Sequence, residues 1–222
     1  MPPTPDPFQQ DVARIALTAA SRHGFALAGG QALIAHGIGA RPTEDVDLFT
    51  DVDGGVTAAS ELVRDALTDA GLQVDAIPET TELDDVFYGF EHDMIEFEVH
   101  RDERAVRLQL VRFARSNNPV TLDIGPVLHL DDVIGTKVAA MVTRAQPRDY
   151  IDVAAALTRY TRNDLIALAR RADPALDDDE IHDAMRRLDR LPDAVFALYR
   201  LTQAQVEAVR SAFADWPRSP FP

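Results

Sequence analysis

A chain of 222 residues with 46% hydrophobic and 27% charged residues reads as a soluble globular protein, long enough for one large domain or two small ones. The absence of cysteine excludes a disulfide framework and thiolate metal sites and makes the cytoplasm the expected compartment. No secretory signal opens the chain and no run approaches the ~20 apolar residues of a bilayer span, so no membrane association is expected. The net charge of −15 argues against a uniformly basic nucleic-acid binder. Arg101, Arg104, Arg107, Arg112 and Arg115 nevertheless form one basic cluster, and Arg186, Arg187 and Arg190 a second, set against the acidic run from Asp177 to Glu180. Of the 22 basic residues, Lys137 alone is lysine, a compact ammonium where the rest of the chain uses planar guanidinium groups.

In chain order, Phe8, Val12, Ile15, Ala16 and Ala19 recur at three- and four-residue spacing and predict a helix over 8–23 that ends before Gly24. A strand over 25–28, a helix over 30–36, a loop over 37–42 and a strand over 46–50 follow. Gly29 and Gly30 sit at the strand-to-helix turn, where backbone N–H groups lack intrahelical partners and missing Cβ atoms allow close approach, a phosphate-binding geometry. Asp45 and Asp47 flank Val46 in the next strand. Period-2 alternation puts both carboxylates on one side, about 6–7 Å apart, where they can share a pair of divalent ions. The Thr43 hydroxyl adds a donor beside them.

After the break at Asp53-Gly54-Gly55, Leu62, Val63, Ala66 and Leu67 mark a helix over 57–70 with Gly71 as C-cap, and a strand over 72–77 follows. Strands over 86–90 and 94–100 read as a hairpin turning near His92-Asp93. In the second of these, Glu96 and Glu98 lie opposite Ile95, Phe97 and Val99, and either glutamate can join Asp45 and Asp47 in a carboxylate triad if the faces coincide. Strands over 107–114 and 121–124 extend the sheet, and Gly125-Pro126 is the expected domain boundary, dividing 1–125 from 126–222.

Beyond it the periodicity is helical over 132–144, 149–160, 162–171, 180–188, 193–201 and 203–214, with caps at Asp131, Asn163 and Thr202. The tail over 216–222, with three prolines, should be irregular. Lys137 lies on the first of these helices with Ala140 one turn later. Asp149 and Asp152 share a face near the start of the second, where Asp149 is also an ordinary partner of the helix dipole. Arg41 and Arg148 are candidates for phosphate contact or for ion pairs with these carboxylates. The six histidines show no metal-ligand spacing.

Four blocks, Gly29-Gly30, Arg41-x-Thr43-x-Asp45-Val46-Asp47, Lys137-x-x-Ala140 and Arg148-Asp149-x-x-Asp152, resemble the AbiEii/AbiGii (MenT-type) toxins among the polymerase-β-like nucleotidyltransferases, over about 25–157. The resemblance implies an α/β (α+β) fold, with a mixed-sheet nucleotidyltransferase core followed by a C-terminal helical bundle that completes the active site. It implies Asp45 and Asp47 as metal ligands with Glu98 as the third, two Mg²⁺ ions, and a nucleoside triphosphate substrate contacted by Gly29, Gly30, Arg41, Thr43, Lys137, Arg148 and Asp149. Asp152 is the essential carboxylate of the last block, orienting the acceptor or holding Lys137. The implied activity is that of a bacterial toxin adding nucleotides to RNA, foremost the 3′ end of tRNA, with a separate antitoxin protein. Two alternatives remain from the residues: an enzyme of the same fold modifying a small cationic molecule or a protein, which suits the −15 charge, and a non-catalytic nucleotide-binding protein.

Overall fold

The computed structural model describes residues 6–39, 41–77 and 94–218. The chain divides into two compact units, one formed by Thr4–Ala35 and Thr43–His129, the other by His36–Pro42 and Leu130–Pro222. Among the described residues the first is built on a seven-stranded mixed sheet and the second is helical. No helix among the described residues is long and apolar enough to cross a membrane.

In the sheet unit, the Asp6 carboxylate accepts from the N–H groups of Phe8 and Gln9 and starts α1 (Pro7–Ala19), which buries Phe8, Val12, Ala13, Ala16 and Leu17. The helix stops earlier than its periodicity predicts: the chain tightens into a 3-10 turn at Ser21–His23 and reverses at Gly24, φ 68°. Then come β1 (Ala26–Leu27), α2 (Gly29–Ala35), β2 (Asp45–Thr50), α3 (Gly55–Asp69), β3 (Gln73–Ile77), β4 (Met94–Arg101), β5 (Arg104–Arg112), β6 (Val120–Leu122) and β7 (Gly125–Val127). Their order across the sheet is β3-β4-β5-β2-β1-β7-β6, with β2/β5 and β1/β7 parallel and the other neighbours antiparallel. Val46, Leu48, Phe97, Val99, Val106, Leu108 and Leu110 are buried on one face, on the side where α1 and α3 pack.

Two expectations change here. The strand expected from residue 107 begins at Arg104, because Asp102-Glu103 makes a two-residue turn with Asp102 at φ 57°, and the charged run 101–104 hides strand character from a hydrophobicity pattern. Gly125-Pro126 is not where the units divide. Those residues form β7, which pairs with β6 through Leu122↔Gly125 and with β1 through Leu27↔Val127, so the sheet unit runs to His129. The expected strand over 86–90 and the turn at 92–93 lie outside the described residues.

The helical unit contains α4 (Leu130–Thr143), α5 (Pro147–Ala156), α6 (Arg162–Ala172), α7 (Asp178–Arg190), α8 (Asp193–Ala197) and α9 (Gln203–Ala212). Reciprocal capping boxes begin α6 at Thr161/Asp164, α7 at Asp177/Glu180 and α9 at Thr202/Gln205. Thr161 therefore does the work expected of Asn163. Asp131, expected as a cap, lies inside the first turn of α4 and accepts from the Tyr160 hydroxyl at 2.7 Å. Gly135 lets α4 lie close to α6, since a Cβ there would stand 2.7 Å from the Leu168 carbonyl oxygen. Tyr150, fully buried against Phe213, donates to the Ala184 carbonyl at 2.6 Å, and burial pushes its hydroxyl above the ordinary tyrosine range.

Candidate functional site

Alternation in β2 follows its sequence pattern: Val46, Leu48 and Thr50 are buried, while Asp45, Asp47 and Phe49 lie on the other face and are half-buried. Backbone bonds fix where Asp47 sits. The Ala28 N–H donates to the Asp47 carbonyl at 2.7 Å, which brings the strand against the first turn of α2. Gly29 is held at φ 59°, and a Cβ there would stand 1.7 Å from Asp47 Oδ2. What approaches this glycine closely is therefore the carboxylate of Asp47 itself, and any side chain at position 29 would push it away.

The approach to Asp45 is held from α1. Gln31, 5% exposed, donates to Gln9 at 2.7 Å, and Gln9 donates in turn to the carbonyls of Thr43 at 2.9 Å and Glu44 at 3.2 Å. This amide relay fixes the two residues that precede Asp45 and escapes a motif search, because glutamine in an amphipathic helix carries no local signal. The Thr43 hydroxyl oxygen is buried with no partner among the described residues, and the Asp45 carboxylate has no hydrogen bond or ion pair there either. A buried hydroxyl without a partner is costly and points to a ligand atom.

Register decides the rest of this face. Asp45 lies beside Arg107 on β5, and Arg107 beside Glu98 on β4; Asp47 lies beside Gln109, and Gln109 beside Glu96. Both glutamates share the face of the aspartates, as alternation predicts, but a whole strand intervenes. Glu98 is 53% exposed and stands 3.5 Å from His100 Nε2, and Glu96 accepts from the Gln109 amide. Among the described residues no three His, Asp or Glu side chains gather closely enough to hold a metal ion. The basic cluster of this unit is largely ion-paired: Arg101 with Asp11, Arg104 with Asp6, Arg112 with Asp53 and Arg115 with Asp51. Among the described residues Arg107 is the exception, exposed beside Asp45.

The helical unit gathers three further candidates. Asp152, 2% exposed, accepts two bonds from the Arg41 guanidinium, Nε to Oδ1 at 2.9 Å and Nη2 to Oδ2 at 2.8 Å, and Lys137 Nζ stands 3.0 Å from Oδ2. Arg41 and Lys137 are each 8% exposed, so two cations share one buried carboxylate. Arg41 also lies under the Tyr199 ring, 5.6 Å from its centroid. Between the two roles left open for Arg41, the geometry has the ion pair.

Asp149, fully buried, is engaged on both oxygens: Arg144 donates to them at 2.9 and 2.7 Å, and the Gln146 N–H closes a capping box at 3.0 Å. Arg148 keeps a buried Nε with no partner among the described residues.

Residues 11–216 match the sequence profile of the nucleotidyl transferase AbiEii toxin of type IV toxin–antitoxin systems. The chain belongs to the AbiEii nucleotidyl transferase toxin family. It is thus a toxin nucleotidyltransferase with a mixed α/β fold, as the motif blocks imply. Solved structures share that fold at low identity. The nucleotidyltransferase toxin MenT4 of Mycobacterium tuberculosis superposes with a TM-score of 0.59 at 16% identity, covering 93% of this chain and 82% of that one. JHP933 of Helicobacter pylori gives 0.58 at 11%, covering 94% and 91%, and a putative nucleotidyltransferase of the same organism 0.57 at 13%, covering 92% and 91%. No curated protein matches the chain. Within this AbiEii member, the side chains that sequence reasoning missed are Gln9 and Gln31, Gln109 abreast of Asp47, and Tyr199 over Arg41.

Proposed function

We propose that this AbiEii-family toxin transfers a nucleoside monophosphate from a nucleoside triphosphate to RNA in the bacterial cytoplasm, with the 3′ end of tRNA as acceptor and Mg²⁺ as the metal. The observation that carries the reading is the carboxylate pair Asp45/Asp47, with Gly29 bare of a Cβ where Asp47 rests and the Thr43 hydroxyl buried without a partner among the described residues. This donor set fits a hard divalent cation: two carboxylate side chains on one strand face, one of them with no partner among the described residues. When bound there, Mg²⁺ offsets charge on the phosphates and favours departure of pyrophosphate.

The other residues take roles their contacts support. Lys137 presents a positive charge to the triphosphate, and Asp152 holds both that ammonium and the Arg41 guanidinium in place. Thr43 and the backbone N–H groups of Gly29 and Gly30 donate to phosphate oxygens, and the Arg148 guanidinium, with its unpartnered Nε, contacts phosphate. Asp149 serves as helix cap and partner of Arg144 rather than as a nucleotide ligand. A separate antitoxin counters the activity.

The charge division makes the helical unit the less repulsive of the two to a polyanionic acceptor. The helical unit carries 14 basic and 15 acidic residues, so nearly all the net charge of −15 resides in the sheet unit, with 8 basic and 22 acidic. That acidity also favours a second reading, a small cationic acceptor, which the same experiment separates. The test is label transfer to total tRNA in Mg²⁺ from each α-labelled nucleoside triphosphate, beside γ-labelled ATP. Transfer from the α-label alone, lost in Asp45→Ala and Lys137→Ala, is expected. Label arriving from the γ-position would mean a kinase-like reaction, and no label on RNA but label on a cationic small molecule would replace the acceptor.

A further inference from the structure

In a two-ion phosphoryl-transfer site, carboxylates bridge the metals and offset a second pair of positive charges about 3.5–4 Å from the first. Such a third carboxylate has to stand next to the first two. In this sheet β2 lies between β1 and β5; on the β1 side Ala28 faces Asp47 and offers no carboxylate, and the residue abreast of Asp47 on β5 is Gln109. Glu96 and Glu98 are one strand further, and with neighbouring strands ~4.8 Å apart their backbone lies roughly 9–10 Å from that of β2. Each is also engaged, Glu96 by the Gln109 amide and Glu98 beside His100.

The contact between Gln109 and Glu96 orients the amide. A carboxylate accepts only, so Gln109 turns Nε2 toward Glu96 and its Oε1 makes no hydrogen bond among the described residues. An amide oxygen can ligate a hard cation or one of its waters, but it is neutral and does not supply the charge that draws a second ion into the site. The side chain next to Asp45 in the same register is the exposed Arg107, whose positive charge disfavours a second cation still further.

We propose that the sheet unit binds a single divalent cation, through Asp45 and Asp47, and that Gln109 is the residue that sets this number by standing where a third carboxylate would be needed. The inference rests on the nucleotidyltransferase reading above. Gln109 is a specificity-determining residue for metal stoichiometry, and the charge a second ion would supply falls to side chains.

The test counts metal directly. Mn²⁺ bound per chain is measured by equilibrium dialysis with a non-hydrolysable α,β-methylene nucleoside triphosphate, and its electron paramagnetic resonance spectrum reports whether ions are isolated or spin-coupled. Wild type is expected to bind a single ion with an uncoupled spectrum, and Asp45→Ala to lose it. Gln109→Glu, or the shorter Gln109→Asp should the glutamate crowd Glu96, is expected to bind a second ion with a coupled spectrum. A coupled pair in wild type would overturn the inference and leave the nucleotidyltransferase reading standing. Failure of both Gln109 variants to gain an ion would overturn the assignment to Gln109. Mn²⁺ binding unchanged in Asp45→Ala would instead sink the metal site and the reading on which the inference rests.

Discussion

The two pairs of candidate aspartates, one in each unit, are held in different ways. In the helical unit Asp149 and Asp152 are buried and every oxygen has a cationic or N–H donor: Arg144 and Gln146 for the first, Arg41 and Lys137 for the second. In the sheet unit Asp45 is half-buried with no partner among the described residues, and Asp47 is placed by the vacancy at Gly29. The same side chain is thus a fastening at Asp149 and Asp152 and an available ligand at Asp45, and its neighbours determine which. A buried carboxylate matched to cations cannot be removed without stranding them; one left unmatched keeps the capacity to bind.

Asp152→Asn is the substitution that should break this contrast most severely. It leaves Arg41 and Lys137 buried against a neutral amide, at a cost of about 3–5 kcal/mol, so both denaturant midpoint and label transfer should collapse together. Asp45→Asn sharpens the contrast from the other side: transfer should fall by about 10²–10³-fold while stability stays within about 0.5 kcal/mol. A large stability loss in Asp45→Asn would show that the sheet carboxylate is a fastening after all. Gly29→Ala forces a Cβ into the Asp47 carboxylate at positive φ and should cost at least about 1 kcal/mol in thermal unfolding, with weakened Mn²⁺ binding. Asp149→Asn should cost about 1–3 kcal/mol through the lost cap and Arg144 pair, and transfer per folded molecule should fall less than in Asp152→Asn.

The smallest effect concerns acid. The Arg210 guanidinium, then the Gln203 amide, hold the exposed Asp193 carboxyl below its ordinary range. Its contribution is therefore complete above the unfolded value of about 4 and is lost as pH falls through the depressed folded value. Asp193→Asn should leave stability independent of this group, visible as a slightly shallower acid limb in a pH series of thermal melts.

Much of the site was readable where neighbours in sequence are neighbours in space. The alternation around Val46, the turn at Gly29-Gly30 and the shared helix face of Asp149 and Asp152 all follow from local periods of the backbone. Pairings between distant segments were not readable. Nothing near Asp47 announces that β5 will lie parallel to β2 with Gln109 abreast, and the glutamates of β4 drew attention because their strand has the better acidic pattern. The N–H that caps the Asp149 carboxylate is the backbone of Gln146, a position that carries no side-chain signal, and the clamp on Asp152 depends on Arg41, 111 residues earlier. Register, and long-range ion pairs of this kind, are chosen by the whole sheet and the whole bundle rather than by a window of residues.

The segment His36–Pro42 is flanked in the chain by elements of the sheet unit yet belongs to the helical one, tied there by Arg41 to Asp152 and through the His36 carbonyl to Arg159. Translation runs in one direction, so when this segment leaves the ribosome its partners have yet to be made. Thr43 and Glu44 can already meet Gln9, but Arg41 lacks its carboxylate partner Asp152 until more than a hundred further residues have emerged. A growing chain would then carry Arg41 without its clamp, and the helical unit could not gather its own first segment until synthesis has passed Arg159.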